Sequence, residues 1–257
     1  LWNYRSFILG LAARDFRIRY MNSFLGSLWA VLNPFAQILV YTLVFSQVMM
    51  ARLPGIDSAF AYSIYLCAGI INWQYFSEVL TRMQNIFIEH AELLKKVHFP
   101  RTSLPLFVVI SSSINYVIMM GIFILFLVAV GQFAGWPVLA MLPLLFFQIC
   151  FAVGLGTFLA TLNVFFRDVG HFMGIVLQFW FWLTPIVYPR SIVPERFVWI
   201  QDINPMSWLM RSYQDIFLLG EWPEWTKGWP LMMSAIVLLF LGYAVFKRLD
   251  KEMVDEL

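Results

Sequence analysis

Charged residues are scarce in this chain. Only 12% of its 257 residues are Asp, Glu, Lys or Arg, against 61% that are hydrophobic, whereas soluble domains carry roughly 25% charge. So little solvating surface excludes a soluble globule of this length and points to an integral membrane protein. The net charge of +2, spread along the chain, excludes a nucleic-acid-sized basic patch. Cys67 and Cys150 both lie in apolar runs, without the CxxC or Cys/His spacing of a metal site or disulfide framework. They read as buried thiols. No GxxxxGK[ST] occurs, so no loop cradles phosphates and the chain does not itself bind ATP in that manner. His90, His98 and His171 form no HExxH pair and read as solvated histidines at the membrane rim. Residues 1–19 are broken by charges and lack a small-residue cleavage site, so no cleavable signal is expected there.

Apolar runs are what the chain has in plenty. A helix crossing a bilayer needs about 20 mainly apolar residues. Six segments meet or approach that length: 25–50, 59–80, 104–130, 138–166, 170–188 and 229–246. They are continuous rather than alternating with period two, which selects helices over barrel strands. The expected fold is an all-α polytopic membrane protein, a single domain over residues 1–257 with six transmembrane helices. If the N-terminus is cytoplasmic, twelve of the seventeen lysines and arginines fall on the cytoplasmic side. By the positive-inside rule both termini are then cytoplasmic. The contrast at the first span is sharp: residues 14–20 hold three arginines, and residues 24–49 hold no charge at all.

The spans themselves hold almost no ionisable group. Glu78 sits four residues before Arg82 and reads as an i,i+4 pair rather than a proton relay. That scarcity argues against an ion-coupled secondary transporter and against an intramembrane acid–base enzyme.

The connections are not neutral. Within residues 1–22, Tyr4, Phe7, Ile8, Leu11 and Ile18 fall on one side of a helical wheel, with Asn3, Ser6, Gly10, Arg14 and Arg17 on the other. That pattern predicts a helix lying in the interface. It is a simple anchor, or its arginines also hold an anionic lipid head group, since guanidinium forks match phosphate oxygens. In "RMQNIFIEHAELLKKVHFPR", residues 82–101, Met83, Ile86, Phe87, Leu94 and Val97 keep helical spacing while Gln84, Glu92, Lys95 and Lys96 face elsewhere. Pro100 stops the helix. This cytoplasmic helix, over 84–98, is a docking surface for a soluble partner or a solvated turn. The outer segment 189–228 is too apolar for a loop and too broken by proline to span, which predicts re-entrant half-helices. One begins near Asn204, with Arg211 and Asp215 set i,i+4 for pairing.

Aromatic residues are abundant, with 26 Phe, 11 Trp and 10 Tyr. Tyr62, Tyr65, Trp73, Tyr75 and Phe76 crowd the second span; Phe179, Trp180, Phe181, Trp182 and Tyr188 crowd the fifth. They form interfacial belts and packing, or a surface on which pyranose rings slide by their apolar C–H faces. Gly170 and Gly174 make a GxxxG, a signature of close helix packing.

Four fragments in order carry a resemblance: "RDFRIRYMNSFLGSLWAVLNP" after the amphipathic start, "FFRDVGHF" between the fourth and fifth runs, then "LTPIVY" and "INP". Over nearly its whole length the chain resembles the membrane permease of ABC-type polysaccharide exporters, the O-antigen and capsule export group. The resemblance implies a non-catalytic homodimeric channel in a bacterial inner membrane, working with two copies of a separate ATPase that binds ATP and Mg. It implies no cofactor in this chain and no nucleic-acid partner. The substrate would be a polysaccharide on undecaprenyl diphosphate, O-antigen first, with capsule or teichoic acid as alternatives. Arg14, Arg17, Arg19 and Tyr20 match the basic run that would meet the diphosphate. Tyr62, Tyr65, Trp73, Tyr75, Phe179, Trp180 and Trp182 are candidates for the sugar path. Gln84, Phe87, His90, Glu92, Lys95 and Lys96 would face the ATPase. Arg167 and Asp168 match the inner junction, as a structural pair or an ATPase contact. The outer half-helices would close the channel. The competing classes are an intramembrane polyprenyl-sugar transferase and a passive channel.

Overall fold

A computed structural model describes residues 5–20, 25–48, 53, 56, 58–96 and 100–256. Among these residues the regular structure is all helical. The α-helices are α1 Arg5–Tyr20, α2 Trp29–Thr42, α3 Ala61–Glu89, α4 Ala91–Lys96, α5 Ser103–Ala129, α6 Met141–Phe165, α7 Asp168–Leu183, α8 Glu195–Ile203, α9 Pro205–Leu219 and α10 Trp229–Glu256. Three stretches, Ser103–Ala129, Trp136–Phe165 and Trp229–Asp250, are long and apolar enough to cross a membrane. The other expected spans also contain helix, in different proportions. The second helix is shorter, and a π-helical turn over Leu43–Val48 continues it. With 29 residues, α3 is about 44 Å long at 1.5 Å per residue, yet it carries Asn72, Glu78, Arg82 and Gln84. At 16 residues, α7 is only about 24 Å long. It stops at Leu183 because Pro185 cannot donate to a continuing helix.

The third helix is the hub. It packs against α2, α5, α6, α7 and α9, and Phe76, Val79, Leu80 and Met83 are fully buried. Its buried Asn72 survives by bonding to neighbours, although Gln74 Oε1 and Gln84 Oε1 on the same helix have no hydrogen-bond partner among the described residues. Asn72 donates to the Ala68 carbonyl at 2.7 Å and accepts from the Tyr116 hydroxyl at 2.7 Å. Gln148 donates to the Asn72 carbonyl at 2.7 Å and accepts from the Tyr213 hydroxyl at 3.0 Å. One satisfied network thus ties α3, α5, α6 and α9 and fixes their register. The tightest crossing is α6 on α10. A Cβ at Gly242 would lie 2.5 Å from the Gly154 carbonyl oxygen, so only two glycines let these backbones touch. Two residues on, Gly156 makes room for Met83 of α3. The GxxxG expected to pack helices behaves otherwise: Gly170 lies beside Asn163, but Gly174 faces open space.

Helix α1 lies along α5 with Ile8 and Ala12 buried. Against the protein this helix turns Ile8 and Ala12, while Ile18 of the same apolar face stays outside the bundle, where an interfacial helix meets acyl chains. Asp15 turns inward because Arg82 and Ser111 receive it, at 2.9 and 2.5 Å. Tyr4 and the Phe7 side chain lie outside the described residues.

The expected separate helix over 84–98 is also redrawn. Residues 84–89 complete α3, and Gln84 and Phe87 face its packed side. His90 breaks the helix; its Nδ1 is 3.1 Å from the Ile86 carbonyl and its ring meets Phe107 edge-on. That half-buried corner residue is not a solvated histidine. Only the six residues of α4 form a distinct helix. Val97 and His98 lie outside the described residues.

After α7 the chain turns through Pro185–Tyr188 into α8 and α9, the short helices expected of the outer segment. Helix α9 begins at Pro205, capped by Asn204, and ends at Gly220 in the left-handed conformation. Met206, Leu209, Tyr213 and Ile216 are buried against the bundle. The Arg211–Asp215 pair is not formed. Among the described residues neither side chain makes an ion pair or hydrogen bond, and the two charges act on each other only at longer range. Burial pushes the Asp215 carboxyl up to about 6, opposed by Arg211, and burial with Arg190 nearby lowers the Arg211 guanidinium.

Candidate functional site

Two facing stripes make the candidate site. On α3, Trp73, Ser77 and Thr81 recur every fourth residue and so share one helix face. On α7, Gly174, Leu177, Gln178 and Phe181 do the same at three- and four-residue steps. Together they line a cleft of about 350 Å³ between the two helices. Gly174 keeps the cleft open, since a Cβ there would meet nothing within 4 Å. Trp73 is held rigidly: its ring is 5.8 Å from Phe181 and 6.1 Å from Trp180, both edge-on. Among the described residues the side chains of Ser77, Thr81 and Gln178 make no hydrogen bond. The cleft therefore offers aromatic walls, unused hydroxyls and an amide, without fixed charge. Such a surface suits an uncharged polar ligand better than an ion. A larger groove of about 540 Å³ between α2 and α5 has only Thr42 as a polar lining residue and offers little to orient a polar substrate.

Of the aromatic candidates for the sugar path, Trp73 alone lines this cleft. Tyr75 is buried, bonded to Ser113 at 2.9 Å and ring-to-ring with Tyr116 at 4.6 Å. Trp180 faces the core, and its indole donates to Asn204 Oδ1 at 2.8 Å. Phe179 and Trp182 are exposed on α7, and neither lines the cleft. Phe181, one of the fifth-run aromatics, lines the cleft as well, beside Ser77, Thr81 and Gln178, which the sequence reading did not single out. The four-residue recurrence from Trp73 to Thr81 was the available signal, overlooked because aromatics were counted without the small polar residues beside them.

Tyr62 and Tyr65 do something else. The Tyr62 hydroxyl donates to the Val187 carbonyl at 2.6 Å, and the Tyr65 hydroxyl lies 3.0 Å from the carbonyls of both Pro185 and Tyr188. Gln214 donates to the Pro185 and Ile186 carbonyls at 3.2 Å. These groups supply the hydrogen bonds that the turn after α7 lost when its helix stopped. Asn204 closes the junction, accepting from Trp180 and Met206 and donating to Thr184 at 2.9 Å. The fragments "LTPIVY" and "INP" are therefore two sides of one hydrogen-bonded corner.

At the other end of the bundle Arg14 and Arg17 are exposed on α1 and make no ion pair or side-chain hydrogen bond among the described residues. Asp15 between them points the opposite way, into the Arg82 pair. The side chains of Arg19 and Tyr20 lie outside the described residues. Glu92 and Lys95 are exposed on α4, while the Lys96 side chain is outside the described set. Arg167, Asp168 and His171 are exposed at the start of α7. Beneath them Asn163 binds the Gln84 carbonyl at 2.9 Å and the Gly170 amide at 3.0 Å.

Comparison with known proteins follows the same lines. The chain is 31% identical over its full length to the O-antigen export system permease protein RfbA of Myxococcus xanthus, covering 97% of that protein. It is 30% identical to the protein of that name from Klebsiella pneumoniae, over 92% of this chain and 89% of the relative. The polysialic acid transport protein KpsM of Escherichia coli is 22% identical over 95% of the chain and 93% of its own length. Residues 7–218 match the model of the ABC-2 type transporter. The chain belongs to the ABC-2 type transporter family, as a multi-pass membrane permease.

Proposed function

We propose that this chain is the channel-forming subunit of an ATP-driven exporter, and that its cargo is a polysaccharide linked to undecaprenyl diphosphate. The observation that carries the reading is the α3–α7 cleft, with rigid indole and phenyl walls beside unused hydroxyls and an amide. The chain crosses the inner membrane six times with both termini cytoplasmic, α3 and α7 surviving their polarity or shortness by packing in protein. It works as a homodimer with two copies of an ATP-binding cassette subunit, and ATP and Mg reside in that partner.

Each part has a physical role. Arg14 and Arg17, exposed on α1, bind the diphosphate by charge-assisted hydrogen bonds, with Arg19 and Tyr20 extending the same run. Glu92 and Lys95 on α4 meet the ATPase. Because α4 follows α3 directly through His90, a push on α4 is delivered to the helix that forms one wall of the cleft. The polymer then advances past Trp73 and Phe181, its hydroxyls exchanging between Ser77, Thr81 and Gln178. No step changes a covalent bond in this chain. O-antigen is favoured over capsule or teichoic acid by the higher identity to the two RfbA proteins than to KpsM.

Reconstitution tests this reading. Vesicles containing the chain and its ATPase partner should move undecaprenyl-diphosphate-linked polysaccharide to the far leaflet only when ATP is hydrolysed. Movement without the partner, or glycosyl transfer by the isolated chain, would contradict it.

A further inference from the structure

A second polar cavity lies at the opposite end of the bundle from the Arg101–Asp250 pair. It occupies about 350 Å³ where α8, α9 and the start of α10 converge. Its lining includes Arg190, Gln201, Asp202, Trp208, Arg211 and Lys227, three cations against one anion. Two of those cations are already neutralised. Arg190 forms a two-pronged pair with Asp202, at 2.5 and 3.1 Å, and Lys227 meets Glu224 at 2.7 Å. Arg211 closes no such pair among the described residues, the Asp215 and Asp202 carboxylates acting on it only from a distance. It is partly buried, its helix neighbour Asp215 does not close to ion-pair distance, and no other described group bonds to it.

Gln201 gives an independent sign of a missing ligand. Only 4% of the residue is exposed, and both its amide nitrogen and its amide oxygen are buried without a hydrogen-bond partner. Its neighbour Tyr188 lies close enough for the amide to act on the phenol against burial, but falls short of hydrogen-bond geometry, and the Tyr188 hydroxyl donates to the Trp182 carbonyl at 2.5 Å. A buried primary amide with nothing bonded at either end is rare in a folded chain. Here it borders the same cavity as the Arg211 guanidinium. The Trp208 indole, fixed through its nitrogen to the Glu224 carbonyl at 3.2 Å, supplies an aromatic lining.

We propose that this cavity is a binding subsite for an acidic sugar residue, one that carries a carboxylate. The guanidinium of Arg211 receives the carboxylate, the Gln201 amide receives a neighbouring hydroxyl, and the Trp208 ring lies against the sugar's C–H face. The indole distinguishes a sugar from a lipid phosphate: the phosphate would use the guanidinium and the amide N–H but leave the Trp208 ring idle. This subsite rests on the reading of the chain as a glycan exporter, and it adds a station beyond the uncharged α3–α7 cleft where acidic units are retained.

The test uses the full-length chain in nanodiscs, without nucleotide or partner, so it does not depend on export. Saturation-transfer NMR is recorded with a glucuronate oligosaccharide and with a glucose oligosaccharide of equal length. The glucuronate form should bind at least tenfold more tightly. Arg211→Gln should remove that preference, Arg211→Lys should restore part of it, and Gln201→Ala should weaken binding severalfold. Equal binding of the two oligosaccharides would overturn the proposal, as would an unchanged preference in Arg211→Gln. If phosphatidylglycerol in the disc abolishes glucuronate binding and a zwitterionic disc restores it, the cavity is a lipid-phosphate site and the proposal fails. Absence of glucuronate binding alongside successful ATP-driven export would remove the subsite and leave the exporter reading standing.

Discussion

The Arg82 guanidinium of α3 meets the Asp15 carboxylate of α1 at 2.9 Å. Arg82 also reaches Ser111 and Ser112 of α5, each at 3.1 Å, and Glu78 at 3.6 Å. Helix α1 is thus fastened by charge to the hub of the bundle, at the level where α1, α3 and α5 meet. The same bond sets the rotation of α1. With Asp15 turned inward, Arg14 and Arg17 are directed away from the bundle and are available to an anionic head group.

Removing that carboxylate leaves Arg82 undercompensated. Asp15→Asn should destabilise the docked state of α1 by about 1–2 kcal/mol, between the values typical of exposed and buried pairs. Cysteine introduced at Ala12, which is 2% exposed, should then react several times faster with a maleimide. An unchanged labelling rate would show that the pair does not hold the helix.

The glycines separate packing from access. Gly242→Val should lower the melting temperature markedly, because its side chain would be driven into the Gly154 carbonyl, and overpacking of this kind costs about 1–3 kcal/mol or more. Circular dichroism of the purified chain is the check, and a melting temperature equal to wild type would refute the close crossing.

Gly174→Leu should have the opposite profile. Nothing stands within 4 Å of a Cβ at this position, and replacing a helical glycine gains up to about 1 kcal/mol of propensity. The leucine fills the α3–α7 cleft, so export should fall at least tenfold while stability is kept. Normal export by this folded variant would exclude the cleft from the path.

Much of this was legible in the sequence, and the misses have physical causes. Apolar runs outlined the helices, three of them long and apolar enough to cross a membrane, because burial in lipid is a composition-level demand. The Asn204 start of α9 was legible because an Asn-Pro step is a strong local signal. The inward turn of Asp15 was not, since it depends on Arg82, distant in sequence. Nor were the roles of Tyr62 and Tyr65, because nothing local says that their hydroxyls will meet carbonyls freed more than a hundred positions later. Gln84 and Phe87 misled for the opposite reason: an amphipathic pattern identifies a helix but not whether its polar side finds solvent or, as with α6 and α7 here, another helix.

Arg14 and Arg17, both exposed on α1, give a further prediction. Arg14→Gln combined with Arg17→Gln should leave co-purification with the ATPase intact while lowering export at least tenfold. Quantifying polymer at the cell surface checks this. Undiminished export would take the head-group role away from these residues.

The most direct measurement is photo-crosslinking from inside the cleft during transport. A benzophenone amino acid at Gln178, in a complex hydrolysing ATP with lipid-linked polysaccharide present, should capture the polymer. The same probe at Val117, exposed on α5, should not. Capture at Val117 with none at Gln178 would contradict the account, because the glycan would then be crossing the membrane by some route other than the α3–α7 cleft.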